Sequence, residues 1–124
     1  MFKIGIDSVE IARIKKSMQN PRFLGYILGE EEQRLIEEKD IPAQSVAARF
    51  AAKEAFSKAI GTGLSGISLK DIQVLNDEKG KPYLVLSGSA KEISEENGLD
   101  FDVSLTHTDT TATAAVIAFK REKR

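Results

Sequence analysis

Arg49-Phe-Ala-Ala-Lys-Glu-Ala-Phe-Ser-Lys-Ala-Ile-Gly61 carries the strongest structural signal in the chain. It is alanine-rich, free of proline, and ends in a glycine able to take the left-handed cap conformation, so it reads as the C-terminal part of a helix that begins near Ala43. On a wheel of about 100° per residue, Ala48, Ala51, Ala52, Ala55 and Ala59 share an arc about 100° wide. A face made only of methyl groups lets another backbone approach closely. Phe50, Lys53, Glu54, Ser57 and Lys58 fall on the other side, within an arc of about 140°. An acid, two ammonium groups and a hydroxyl on one stripe can hold a metal ion and a phosphate. The same stripe also fits a solvated face carrying a Glu54–Lys58 pair one turn apart. Taken alone, the stretch leaves both readings open.

Upstream, Phe2, Ile4 and Ile6 alternate with Lys3 and Gly5, which predicts a strand ending at Asp7. A carboxylate there suits ligand chemistry or a helix N-cap. Ile11, Ile14 and Met18 then trace a helical stripe closed by Pro21. Arg13, Lys15, Lys16 and Arg22 make residues 11–24 a basic run without an acid. Gly29 opens a further helix whose first turn, Glu30-Glu31-Glu32, favours the positive end of the dipole and reads as solvating, with Leu35 and Ile36 inward. Asp40 and Pro42 mark the turn into the alanine-rich helix.

Downstream, residues 61–66 are glycine-rich but lack a Walker-type lysine and follow no strand, so they carry little weight as a phosphate loop. Ile72, Val74 and Leu75, a polar turn of residues 76–81, and Pro82-Tyr-Leu-Val-Leu86 predict a hairpin. Residues 89–97 read as a short helix ended by Gly98, with Ala90 and Ile93 inward. Phe101, Val103 and Leu105 alternate into Thr106-His107-Thr108. The last strand, residues 111–119, is small and apolar on both faces, which predicts that both are covered. Residues 120–124 form a basic tail expected to fray. Helices and strands mix without regular βαβ alternation, so the expectation is an α+β fold: a compact single domain over residues 1–119, its mixed or antiparallel sheet packed on a long central helix.

The 124 residues suit one domain, and a net charge of −1 gives no global attraction to nucleic acid or an acidic membrane. Cysteine is absent, which excludes disulfides and zinc thiolates. No apolar run approaches the roughly 18 residues of a membrane span. The first residues lack the features of a signal peptide, so the expected location is the cytoplasm.

Gly5-Ile-Asp7 after a strand, Phe50-Ala-Ala-Lys-Glu-Ala-Phe-Ser-Lys58 on a helix, and Val103-Ser-Leu-Thr-His-Thr108 ending a strand occur in this order at this spacing. The set resembles the holo-acyl-carrier-protein synthases, the small bacterial 4′-phosphopantetheinyl transferases. The resemblance covers nearly the whole chain, including the Gly80-Lys-Pro82 turn. Ser8, where an apolar residue is expected, departs from the pattern.

The resemblance implies a magnesium-dependent transfer of phosphopantetheine from coenzyme A to a serine of an acidic acyl-carrier protein, serving fatty acid biosynthesis. It implies Asp7 and Glu54 as metal ligands, Asp7, Glu54, Lys58 and His107 as catalytic residues, and a homotrimer with sites between subunits. Coenzyme contacts are expected from Lys53, Ser57, Lys58, Gly80, Lys81, Pro82, Thr106, His107 and Thr108. The serine's base is left open among Glu54, Asp7 and a metal-bound water. Arg13, Lys16 and Arg22, with Phe23 as an apolar anchor, form the expected carrier-protein surface. Two other classes compete: a non-catalytic coenzyme- or carrier-binding module, and a small magnesium-dependent nucleotide hydrolase.

Overall fold

The computed structural model describes residues 2–39, 42–63 and 66–122. Asp40 of the predicted turn, Leu64 and Ser65 of the glycine-rich loop, and Lys123 and Arg124 of the tail lie outside these residues. The order is β1 Phe2–Glu10, α1 Ile11–Ser17, α2 Phe23–Ile27, α3 Glu30–Lys39, α4 Ala43–Ile60, a 3-10 turn Leu69–Asp71, β2 Ile72–Asn76, β3 Pro82–Leu86, α5 Gly88–Glu96, β4 Leu99–His107 and β5 Thr111–Lys120.

α4 is the expected long helix, and its 18 residues make it about 27 Å long. Gly61, at φ 82°, ends it by turning its amide back to the carbonyls of Ser57 and Lys58. The alanine face is buried along its whole length. It lies on an antiparallel sheet of order β1-β5-β4. Gly5 shows how tightly. A Cβ placed there would sit 1.9 Å from the Ala55 carbonyl oxygen and 2.7 Å from the Ala59 nitrogen, so only a hydrogen fits between strand and helix.

Strand residues alternate between faces, so Gly5 and Val9, Ala112, Ala114, Val116 and Ala118, and Val103 form the buried layer under α4. The opposite face differs from expectation. Phe2, Ile4 and Ile6 are 73%, 72% and 61% exposed, and their cross-strand partners Phe119, Ile117 and Ala115 are half-buried. Both faces of β5 are apolar, but among the described residues only the inner one is fully covered, because α4 packs on that side alone.

Three local expectations also change. β1 does not stop at Asp7: pairing with β5 continues through Val9–Ala112 and Glu10–Thr111, so Asp7 is mid-strand and not a helix cap. Ser8 sits on the outer face, its hydroxyl bonded across the sheet to Thr113 at 2.8 Å, which explains why a polar residue is tolerated there. The tail begins later than expected, since Lys120 closes β5 opposite Leu99 and Arg121 pairs with Asp100 at 3.0 Å. β2 and β3 form the predicted hairpin as a separate two-stranded sheet, with Gly80 at φ 85° in its turn.

Candidate active site

The polar side of α4 separates into two rows spaced four residues apart. Phe50, Glu54 and Lys58 form one, and Arg49, Lys53 and Ser57 form the other. The first row faces β1. Lys58 Nζ donates to Asp7 Oδ1 at 2.9 Å and to the Ile6 carbonyl at 3.2 Å. Glu54, one turn before Lys58, is half-buried and makes no side-chain hydrogen bond among the described residues. Burial raises its carboxyl pKa, the Asp7 charge raises it further, and Lys58 and Arg13 offset part of this. Asp7, Glu54, Lys58 and Arg13 therefore act as one electrostatic cluster built from β1, α1 and α4. Among the described residues no group of three or more His, Cys, Asp or Glu side chains converges to hold a metal. Cation binding at the Asp7–Glu54 pair thus needs ligands from substrate or water.

The second row corrects the sequence expectation. Lys53, expected beside phosphate, is fully buried, and its ammonium donates to Glu32 Oε1 at 2.7 Å, to the Leu69 carbonyl at 3.0 Å and to the Ile72 carbonyl. Ser57 is also buried, its hydroxyl donating to the Glu54 carbonyl at 2.7 Å. Glu32, read from sequence as solvating, is equally buried and accepts from the Gly29 and Val74 amides, each at 3.0 Å. Arg49 completes the group 4.0 Å from Glu32. Desolvation lowers the pKa of both cations, and Glu32 offsets part of the effect. An arc of about 140° is wide enough for its two edges to meet different environments, which is why one stripe became two.

Across α4 from the acids, a cleft of about 820 Å³ opens between the helix, the β2–β3 turn and the end of β4. Of the expected coenzyme contacts, Gly80, Thr106 and His107 line it, together with Arg49, Asn76 and Tyr83, for which no motif in the sequence signals a role. Lys81 and Pro82 stand beside the cleft rather than in its wall: Lys81 pairs with Asp102 at 2.8 Å and Pro82 starts β3. The Thr108 hydroxyl is already used in the β4–β5 turn, accepting from the Thr111 amide at 3.1 Å. His107 is exposed, with Nδ1 3.2 Å from the Thr108 carbonyl.

Asp7 and His107 lie on β1 and β4, at opposite edges of the sheet. With strands about 4.8 Å apart, β5 alone separates these edges by roughly 10 Å, and α4 stands between the two side-chain groups. Neither Asp7, Glu54 nor Lys58 lines the cleft. One chain therefore holds the acid cluster and the cleft as two separate features.

On α1 and after it, Arg13, Lys15, Lys16 and Arg22 are exposed as expected. Arg22 and the half-buried Phe23 border a groove of about 550 Å³ shared with Tyr26 and Lys70. Arg13 links this basic surface to the acid cluster.

Residues 3–116 match the family model described as the 4′-phosphopantetheinyl transferase superfamily. The chain belongs to this superfamily. Its transferase relatives include the holo-[acyl-carrier-protein] synthase of Treponema denticola, 47% identical over 116 residues, which are 92% of this chain and 94% of that protein. That of Chloroherpeton thalassium is 45% identical over 119 residues, 94% of this chain and 96% of the relative. The transferase fold matches the crystal structure of the Neisseria meningitidis synthase with a TM-score of 0.89 and 35% identity, covering 95% of this chain and 98% of that one. It also matches the Bacillus anthracis synthase in complex with CoA (3′,5′-ADP), with a TM-score of 0.80, 36% identity and coverage of 95% and 96%. The α+β expectation and the family resemblance both hold.

Proposed function

We propose that this chain transfers 4′-phosphopantetheine from coenzyme A to a serine of an apo acyl-carrier protein and releases adenosine 3′,5′-bisphosphate. The observation that carries this reading is the Asp7–Glu54–Lys58 cluster, in which two acids and an ammonium from β1 and α4 meet around the 2.9 Å Asp7–Lys58 pair. In the reaction the serine oxygen forms a bond to the phosphorus on the pantetheine side. The bond from that phosphorus to the bridging oxygen breaks, and the electron pair leaves with the nucleotide phosphate.

Glu54 is the residue suited to take the serine proton. Asp7 already accepts from Lys58, whereas Glu54 is free of hydrogen bonds among the described residues and so has an oxygen open to the serine hydroxyl or to a water beside it. Lys58 balances charge on the phosphates, and Thr106 and His107 hold the nucleotide end. Asp7 and Glu54 fit Mg²⁺, because burial and the Asp7 charge both disfavour an unpaired Glu54 carboxylate and Mg²⁺ accepts one or two carboxylates along with substrate phosphates. When bound, the ion neutralises negative charge on the pyrophosphate.

The separation of the acid cluster from the cleft supports assembly from more than one chain. Joining the acid cluster of one copy to the cleft of another is a head-to-tail contact, and such contacts end only by closing a ring. We propose a homotrimer, with the exposed Phe2-Ile4-Ile6 face of the sheet buried in the assembly. The basic surface of Arg13, Lys16 and Arg22 with Phe23 receives the acidic carrier protein. The holo carrier protein so formed would serve fatty acid biosynthesis in the cytoplasm.

The test is intact-mass analysis of an apo carrier protein incubated with the enzyme, coenzyme A and magnesium. A mass gain of one phosphopantetheinyl group is expected. Coenzyme consumption with an unmodified carrier would indicate a hydrolase instead, and no change in either substrate would indicate a binding module.

A further inference from the structure

The β2–β3 turn forms one wall of the cleft, yet it is exposed and projects from the body of the protein. Its internal shape is set locally. Asp77 Oδ1 accepts from the Lys79 and Lys81 amides, each at 2.9 Å, and the Gly80 amide returns to the Asp77 carbonyl at 2.9 Å. None of these bonds fixes where the turn sits relative to α4 and the opposite wall at His107.

Two side-chain ties do so. Lys81 reaches Asp102 on β4 at 2.8 Å, but both side chains are more than half exposed, and such pairs typically contribute little. The other tie passes through Asn76. Its side-chain oxygen accepts from Arg49 Nη2 at 3.0 Å, and its side-chain nitrogen donates to the Gly80 carbonyl at 3.1 Å. Arg49 is itself immobilised: Nε donates to the Val74 carbonyl at 3.2 Å and Nη1 to the Ser45 carbonyl at 3.3 Å. Beyond it stands the buried Glu32–Lys53 pair, and no buried side-chain nitrogen or oxygen among the described residues lacks a partner. Asn76 is the connection from that rigid charge cluster to the turn backbone.

We propose that Asn76 is a positioning residue for coenzyme binding, holding the Gly80 segment of the cleft wall in register with α4 through Arg49. This rests on reading the cleft as the coenzyme site. It also gives the buried Glu32–Lys53–Arg49 cluster a functional output: through Arg49, which itself borders the cleft, the cluster orders the far wall.

The probe is adenosine 3′,5′-bisphosphate, titrated calorimetrically into wild-type enzyme and the variants Asn76→Ala, Asn76→Asp, Asp102→Asn and His107→Ala. Asn76→Ala is expected to raise Kd about tenfold, equivalent to about 1.4 kcal/mol. The KM for coenzyme A should rise in parallel, while kcat and the carrier-protein KM stay within about twofold. Asn76→Asp keeps the acceptor for Arg49 but loses the donor to Gly80, so it should be as weak as Asn76→Ala. Asp102→Asn, which cuts the Lys81–Asp102 pair, should bind within about twofold of wild type. If His107→Ala weakens binding and Asn76→Ala does not, the positioning role is overturned while the cleft assignment stands. If neither changes Kd, the cleft is not the coenzyme site and both fall. A lowered Tm with kcat and both KM values altered together would mark Asn76 as merely structural and overturn the proposal.

Discussion

Replacing Lys53 by methionine separates a structural role from a phosphate-binding one. The side chain is fully buried, 2.7 Å from a fully buried Glu32, and it also satisfies the Leu69 and Ile72 carbonyls. Methionine has nearly the same length, so little cavity forms and the dominant effect is electrostatic. Removing one member of a buried ion pair leaves an uncompensated charge and typically costs about 3–5 kcal/mol. Arg49, at 4.0 Å from Glu32, retains part of the compensation, so the lower end, about 3 kcal/mol, is expected. The double variant Lys53→Met with Glu32→Leu removes both charges and should recover more than half of that loss, since apolar replacements of whole buried pairs are often neutral. Urea unfolding of the single and double variants measures both quantities. Per folded molecule, the single variant should keep kcat and its KM for coenzyme A within about threefold, because the ammonium faces α3 and β2 rather than the acid cluster or the cleft. A stability loss below about 1 kcal/mol, accompanied by a large rise in the coenzyme KM, would refute the buried assignment.

Glu54→Gln should abolish most turnover without loss of stability. Burial and Asp7 raise the Glu54 pKa, so the wild-type group favours folding most below the ordinary carboxylate value of 4.5 and loses that contribution as pH rises through the raised folded value. At pH 7 the glutamine variant should therefore melt at or above the wild-type temperature, with the difference vanishing on acidification; a lower melting temperature at pH 7 would contradict the sign. Gly5→Ala should destabilise by about 2 kcal/mol or more, because its methyl would enter at 1.9 Å from the Ala55 carbonyl, and moving β1 off α4 should also weaken the Asp7–Lys58 contact and turnover. Unfolding and initial rates check this together, and a wild-type-like alanine variant would mean that the strand and helix are not in such contact. Arg22→Glu should raise the KM for the carrier protein and leave that for coenzyme A unchanged, with the wild-type rate at low carrier concentration falling as salt rises. Equal effects on both substrates would place the docking surface elsewhere.

Elements that rest on local rules are legible in the order of residues alone. The alanine face of α4 and its Gly61 cap follow from composition and from what glycine permits, and the β2–β3 hairpin follows from apolar runs around a polar turn. The order of residues also supplied the motif set that carries the family. The partners of each charged side chain were decided only by the tertiary structure. Glu32 stands in a run of three glutamates at a helix start, where exposure is the usual outcome, and nothing local distinguishes it from Glu30 and Glu31. It is buried because the fold brings α3 and β2 against the Arg49–Lys53 row of α4, where two neighbouring cations require an anion. The like-charged Arg49–Lys53 spacing was the available signal, but the acid that answers it comes from another helix. The same limit applies to the site. Asp7 and Lys58 lie far apart in sequence and meet at 2.9 Å through strand–helix packing, while His107, in an equally recognisable motif, lies at the opposite edge of the sheet. A wheel or a spacing rule orders residues within one element. Which face is dry, and which motifs share a cleft, depends on what packs against that element.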